Sequence, residues 1–140
     1  MAKALRLTKD ATPANLTLFL TLVDVLADQH GLPDDARSDL RLLTEEACTN
    51  VVMHAFPGRE PGELTLELDY ADGVASVTLI DDGVAFSPSD APRADLGADW
   101  QTRREGGVGW HLIRTLSDEL EYERVDERNR LTLRKRVATA

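Results

Sequence analysis

The clearest hydrophobic pattern in the chain is an alternation from Glu63 to Tyr70, where a leucine or tyrosine at every second position is separated by polar residues. A period of two predicts a β-strand with one buried face. Ala71-Asp72-Gly73 follows as a turn signal, and Val74 to Ile80 predicts the second strand of a hairpin.

Two helices are predicted before this hairpin. The first begins at Thr12-Pro13, where a hydroxyl N-cap precedes proline at the first helical position, and it stops at Gly31. Its apolar residues recur three or four positions apart: Leu16, Leu20, Val23 and Ala27. The second begins at Pro33 and extends to about Ala55, because Pro57-Gly58 ends the pattern.

The remaining segments complete an α+β order. Short strands are predicted over residues 3–8, 120–125 and 131–137, and a helix over 108–116. Residues 81–107 have no apolar periodicity, which is typical of a lid over a site or of a disordered segment. We predict a single domain over 1–140, a two-layer sandwich with a mixed, mostly antiparallel sheet and helices on one face.

Composition narrows the class of protein. A length of 140 residues with 42% hydrophobic and 29% charged residues fits one globular domain. A net charge of −9 argues against an extended nucleic-acid surface, and it means that a bound polyanion would need local cations. The single cysteine, Cys48, precludes an intramolecular disulfide. No signal peptide or membrane span is visible, so we expect a cytoplasmic protein without membrane contact.

The first candidate site lies on the second predicted helix. Glu46, Asn50 and His54 are spaced four apart and therefore share one stripe. A neighbouring apolar stripe is expected to face the sheet: Leu40, Leu43, Ala47 and Val51. The polar stripe would then border the core, although a solvated face with a capping histidine explains the spacing equally well.

The second candidate site is the end of the strand that reaches Ile80. Asp81 there is placed to accept a hydrogen bond from a ligand amino group, and Gly83 would let a ring approach the backbone. An ordinary Asp-Gly turn is the alternative.

The third candidate site is Glu105-Gly106-Gly107-Val108-Gly109, glycines that run directly into a helix. Amide groups exposed at a helix start bind anions such as phosphate. The segment is neither a Walker loop nor a dinucleotide fingerprint, and a simple hinge before the helix is the alternative.

The order of the three segments resembles the N box and two glycine boxes of the histidine-kinase-like ATPase superfamily. More closely, Glu46-Ala47-x-x-Asn50-x-x-x-His54-Ala55-Phe56 is similar to a run in bacterial anti-sigma-factor serine kinases. Gly107-x-Gly109-x-x-Leu112-Ile113, followed by Ser117-Asp118-Glu119-Leu120-x-Tyr122, is similar to a second run in that family. The resemblance covers nearly the whole chain.

The resemblance implies a role for each matched residue. Asn50 would bind Mg²⁺ that bridges the phosphates of ATP, and Glu46 would be the catalytic base that deprotonates a partner's serine. Asp81 would bind the adenine amino group and Gly83 would leave room for the base. The amides of Gly107, Val108 and Gly109 would contact the phosphates under an ATP lid of about residues 84–106. Two arginines in that lid could neutralise phosphate charge, or be merely solvated: Arg103 and Arg104.

The chain also departs from the family pattern. Ala85 stands where glycine is usual, Ser87 where aspartate is usual, and Trp110 where leucine is usual. His111 follows that tryptophan, and Asn129-Arg130 replaces a Gly-Thr pair before the last strand. None of these changes removes a phosphate or metal ligand, but weak or absent turnover is an open alternative because Ala85 and Trp110 could alter nucleotide affinity and the shape of the lid.

The resemblance implies an anti-sigma factor that is also a protein-serine kinase. It would sequester a sigma factor, phosphorylate a serine on an anti-sigma-factor antagonist, and resemble relatives that form homodimers. The alternative is a non-catalytic, nucleotide-dependent binding module that regulates a partner such as a phosphatase, although a pure binder needs no Glu46. A two-component histidine kinase is disfavoured, since no phospho-acceptor hairpin precedes the domain.

Overall fold

The computed structural model describes residues 4–85 and 109–138, which form three helices and five strands. The strands are β1 Leu5–Asp10, β2 Glu63–Ala71, β3 Val74–Asp81, β4 Glu119–Val125 and β5 Arg128–Arg136. The helices are α1 Leu16–His30, α2 Asp34–His54 and α3 Gly109–Leu116, with a 3₁₀ turn over Pro13–Asn15 before α1. This order confirms the predicted α+β class.

One five-stranded sheet has the strand order β1-β2-β3-β5-β4. Every pairing between the described strands is antiparallel. The sequence predicted a mixed, mostly antiparallel sheet, and the described part of it contains antiparallel pairs alone. The register places Asp81 of β3 opposite Asn129 of β5, and Asn129 opposite Arg124 of β4. Three polar residues therefore form one row across three neighbouring strands.

The alternation in β2 sorts its side chains between the two faces of the sheet. Leu64, Leu66 and Leu68 are buried beneath the helices, whereas Glu67 on the opposite face pairs with Arg6 at 3.0 Å. Helix α1 contacts β1 and β2, and α2 contacts β3 while packing between α1 and α3. The described helices therefore cover one face, as predicted, and the core lies between the layers.

Three local predictions need correction. Strand β1 begins two residues later than expected and reaches Asp10, because Asp10 pairs with Glu63 at the start of β2. Thr12 has the extended backbone of an N-cap, but its hydroxyl makes no capping hydrogen bond. Strand β5 begins at Arg128 rather than Leu131, so Asn129 belongs to the sheet and not to the turn.

The predicted stop of α1 is confirmed at Gly31, which adopts the left-handed conformation at φ +60°. Helix α2 ends where Ala55 accepts a hydrogen bond from Val84 at 2.9 Å. This bond ties the end of α2 to the segment that follows β3, and it brings the first two candidate sites together.

Candidate active site

Helix α2 carries its polar stripe from the core to the surface. Glu46 is only 7% exposed, Asn50 is half-buried and His54 is exposed in the last turn. The neighbouring stripe is buried as predicted at Leu40 and Leu43. A solvated helix face therefore does not describe Glu46, whose carboxyl group lies within the folded layer.

Glu46 and Asn50 both point towards the first residue of α3. A β-carbon placed on Gly109 would lie 2.9 Å from Glu46 Oε2 and 3.5 Å from Asn50 Oδ1. The distance to Asn50 is an ordinary contact, but the distance to Glu46 Oε2 is too short for a β-carbon, so glycine lets the helix start lie this close to the Glu46 carboxylate. The tertiary structure thus brings the predicted acid, the predicted metal ligand and the second glycine of the Gly-x-Gly pattern into one place.

The side-chain amide of Asn50 gives an independent sign of a ligand position. Its Nδ2 atom is buried, yet it has no hydrogen-bond partner among the described residues. Leaving a buried polar group unpaired costs about 1–3 kcal/mol. A bound polar ligand would satisfy this amide, and a half-turn of the amide would present its oxygen to a cation instead. The position therefore fits a magnesium ion bound to phosphate, because Mg²⁺ in such sites is held by few protein oxygens together with the phosphate oxygens.

Asp81 ends β3 with its side chain among the buried residues and is 6% exposed. Its Oδ1 atom accepts hydrogen bonds from the amide of Gly83 at 2.9 Å and from Asn129 Nδ2 at 3.0 Å. None of the hydrogen bonds found among the described residues ends on Oδ2. Since Asp81 lines the small cavity described below, Oδ2 is the carboxylate oxygen that can still accept a hydrogen bond from a ligand amino group.

Burial raises the pKa of Asp81 above its usual 3.8, because removing the carboxylate from water disfavours its charge. The hydrogen bonds from Asn129 and Gly83 act in the opposite direction, and Arg124 lowers the pKa further while Asp82 raises it. The hydrogen bond from Asn129 is thus the side-chain contact that most favours the charged carboxylate against the effect of burial.

Gly83 is required for a reason that differs from the sequence-based one. A β-carbon there would lie 2.4 Å from the carbonyl oxygen of Ala55 and 2.5 Å from its β-carbon. The glycine thus allows the loop after β3 to pack against the end of α2. Room for a ligand ring at Gly83 stays a prediction.

A small cavity of about 50 Å³ joins the first two candidate sites, with room for a few water molecules. It is lined by residues of α2, β3, α3, β4 and β5, among them Asn50, His54, Asp81, Trp110 and Tyr122. Trp110, 7% exposed, takes part in this wall from the first turn of α3. An adenine ring is larger than this space, so only part of a bound base would lie inside it.

Three residues of this region were not predicted from the sequence. Asn129 is 6% exposed beside Asp81, and its Oδ1 accepts hydrogen bonds from Tyr122 and Arg124. Asn129 was missed because the last strand was predicted to begin only at residue 131, which left Asn129 in the charged turn before it. The contacts of Tyr122 and Arg124 with Asn129 follow from the pairing of β4 with β5, which local spacing does not encode.

Part of the predicted site lies outside the described residues. Gly107, Val108, Arg103 and Arg104 are among these, as is the predicted lid apart from Val84 and Ala85. Their roles, the lid and the single-domain extent of 1–140 stay predictions. Within residues 4–85 and 109–138, no group of three His, Cys, Asp or Glu side chains could hold a metal ion. In the same ranges, no helix combines the length and apolarity needed to cross a bilayer.

Comparisons with known proteins identify the family of this chain. Residues 10–135 match the family model described as a histidine kinase-like ATPase domain. The serine-protein kinase RsbW of Listeria monocytogenes is 33% identical over 115 residues, covering 79% of this chain and 73% of that protein. The serine/threonine-protein kinase BtrW of Bordetella bronchiseptica is 34% identical over 97 residues, covering 69% and 68% of the two chains.

A solved structure shares the fold. The RsbU and RsbW domains of a Mycobacterium tuberculosis protein superpose with a TM-score of 0.67 at 16% identity. The match covers 97% of this chain and 32% of that one. At this identity the likeness supports the fold alone.

The chain belongs to the histidine kinase-like ATPase domain family, and within it to the bacterial serine-protein kinases of the anti-sigma-factor type. The family, the fold class and the protein-serine kinase class predicted from the sequence are confirmed. ATP as the nucleotide of such a domain is confirmed with them.

Proposed function

We propose that this kinase binds ATP with Mg²⁺ between α2 and α3 and phosphorylates a serine of an anti-sigma-factor antagonist. In its nucleotide-bound form it would also sequester a sigma factor. The observation that carries the proposal is the meeting of Glu46 and Asn50 at Gly109. The relatives named as serine-protein kinases support the substrate class.

Asn50 would hold the metal ion through Oδ1, together with phosphate oxygens of ATP. The ion would neutralise phosphate charge, which matters in a chain whose net charge is −9. Its unpartnered, buried Nδ2 supports a ligand at this position. The Asn50 side chain therefore orients the triphosphate relative to Glu46.

Glu46 would act as the general base of phosphoryl transfer. As the serine oxygen forms its bond to the γ-phosphorus, the hydroxyl proton passes to the Glu46 carboxylate and ADP leaves with the electron pair of the broken bond. Burial at 7% exposure and contact with the α3 start keep the carboxylate positioned and shielded from water.

Asp81 would bind the adenine amino group through Oδ2, since Oδ1 is already engaged by Gly83 and Asn129. A carboxylate at this point accepts from the amino group of adenine and repels the carbonyl oxygen that guanine carries there. The site would therefore select adenine nucleotides.

A homodimer is part of the proposal, because the family that the sequence resembles includes kinases that form homodimers. Two apolar side chains on α1, Leu18 and Val25, are exposed and would permit such contact. Cytoplasmic location and the absence of nucleic-acid binding are likewise proposed, the latter from the acidic net charge of −9.

Incubation with labelled ATP and a cognate antagonist tests the proposal. Glu46→Gln should retain ATP binding and lower phosphotransfer by about 10²–10⁴-fold, since only the base is removed. Glu45→Gln, which changes the exposed neighbouring carboxylate, is the matched control and should transfer phosphate at the wild-type rate. Phosphotransfer by Glu46→Gln at the wild-type rate would exclude Glu46 as the base, and no transfer by the wild type would favour a non-catalytic binding module.

A further inference from the structure

Asn129 occupies a buried position between the adenine-binding candidate Asp81 and strand β4. Its Nδ2 atom donates to Asp81 Oδ1 at 3.0 Å and to the carbonyl oxygen of Val84 at 2.7 Å. Both donor hydrogens of the amide are thereby used. The side chain links the end of β3, the segment after it and the start of β5.

The orientation of this amide is determined by two donors on its other side. Asn129 Oδ1 accepts from the hydroxyl of Tyr122 and from Arg124 Nη1 at 3.0 Å. Arg124 also donates to the carbonyl oxygen of Gly83 at 3.1 Å. A flipped amide would place its NH₂ group against these donors, so the Nδ2 atom is directed at Asp81.

The two carboxylate oxygens of Asp81 differ in the hydrogen bonds that they accept. Oδ1 receives both the Gly83 amide and Asn129, whereas Oδ2 receives no hydrogen bond found among the described residues. Asp81 and Asn129 both line the small cavity beside Trp110. The carboxylate therefore has one oxygen engaged by two hydrogen bonds, while its other oxygen can still accept one from a ligand.

We propose that Asn129 is a positioning residue for nucleotide recognition, which orients the Asp81 carboxylate so that Oδ2 meets the adenine amino group. The inference rests on the proposed function of Asp81. It assigns a role to a residue at which the chain departs from the family pattern, since Asn129-Arg130 replaces a Gly-Thr pair. Asn129 also stabilises the charged, hydrogen-bond-accepting form of that carboxylate.

Other charged groups near Asp81 determine what a pH profile will report. Arg124 on β4 and Asp82 on the same segment act on the carboxylate directly. Among the described residues, four further titratable or charged groups share a cavity with Asp81: His54 of α2, Tyr122 of β4, Glu63 of β2 and Arg128 of β5. Because Asn129→Ala keeps all of these groups and adds no titratable one, a difference between its pH profile and that of the wild type reports on the amide.

The decisive variant is Asn129→Asp, which keeps an oxygen acceptor for Tyr122 and Arg124 but replaces the donor facing Asp81. We expect the dissociation constant of ATP at pH 7.5, measured by calorimetry, to rise by about tenfold or more. Asn129→Ala should weaken ATP similarly, and its loss of affinity on acidification should begin at higher pH than in the wild type. Asn15→Asp, the same change at an amide bound to the carbonyl of Asp10, is the control.

The outcomes separate this inference from the proposed function. Asp81→Asn, measured in parallel, should lose affinity for ATP; if it binds as well as the wild type, the adenine role of Asp81 is wrong. If Asp81→Asn loses affinity while Asn129→Asp stays within about twofold of the wild type, only the role of Asn129 is overturned. If Asn129→Ala binds ATP more weakly than the wild type by the same factor at every pH, the effect of Asn129 is merely structural and the inference is overturned. If that variant does not fold, the ATP affinity of Asn129→Asp decides.

Discussion

The carboxylate of Glu46 on α2 lies against the α-carbon of Gly109, the first residue of α3, so closely that an added β-carbon would come within 2.9 Å of Glu46 Oε2. The atom that an added β-carbon would meet, Glu46 Oε2, is the end of a flexible side chain and not part of the backbone. A methyl group at Gly109 would therefore displace the carboxylate without breaking the packing of α3.

Gly109→Ala tests this relationship. We expect the displaced carboxylate to lower the phosphotransfer rate by about 10–100-fold, since small errors in the position of a catalytic group are costly. The free energy of unfolding should change by less than about 1 kcal/mol, because alanine favours a helix more than glycine does. Single-turnover transfer and urea denaturation measure the two effects, and a large loss of stability with normal transfer would contradict the assignment.

Asn50→Ala tests the proposed metal ligand. The variant should lose Mg²⁺-dependent nucleotide affinity while keeping its stability, because Asn50 Nδ2 makes no hydrogen bond that truncation could break among the described residues. Calorimetric titration with ATP, in Mg²⁺ and again in a chelator, measures the dependence. Unchanged affinity in Mg²⁺ would refute the metal role, and Asn15→Ala is the matched control.

Thr44→Val tests the cost of an unpaired hydroxyl in the core. Thr44 is fully buried on α2, and its Oγ1 has no hydrogen-bond partner in the described part of the chain. Removing that hydroxyl should raise the free energy of unfolding by about 1 kcal/mol. Thr115→Val, whose hydroxyl donates to the carbonyl of His111 at 2.8 Å, should give no such gain. Equal stabilisation of both variants would show that the gain comes from the valine side chain and not from removing the unpaired hydroxyl of Thr44.

Asp81→Asn tests the pH dependence of stability. The folded-state pKa of Asp81 is raised above 3.8, chiefly by burial, so its protonated form stabilises the fold below that pH. This contribution is lost as the pH rises through the folded-state pKa. Asparagine does not titrate and retains an oxygen for Gly83 and Asn129.

The stability of Asp81→Asn relative to the wild type should therefore increase from pH 3.5 to 7.5. Urea denaturation of both proteins across that range measures the difference, with the exposed Asp72→Asn as the surface control. A relative stability that falls as the pH rises would show that burial is outweighed by the hydrogen bonds and by Arg124.

Burial also makes the thiol of Cys48 unreactive. The thiol is fully buried, and burial raises the pKa of Cys48 to about 12. A thiolate is therefore scarce at neutral pH, and the residue packs in the core as expected of a small hydrophobic side chain.

Local patterns in the sequence determined the elements of this protein and its family. The alternation in β2, the glycine stop of α1 and the spacing of Glu46 and Asn50 depend on neighbours along the chain, which periodicity records directly. The resemblance of the three segments to the anti-sigma-factor serine kinases then identified the family, the fold and the candidate site residues.

The tertiary structure alone decided which distant residues meet. Strand register places Asn129 beside Asp81, the loop after β3 brings Gly83 against Ala55, and α3 brings Gly109 against Glu46. These pairs are far apart in the chain, and no local spacing encodes them. They are set by how the sheet pairs and how the helices pack on it, because burial and hydrogen bonding are satisfied across the whole fold at once.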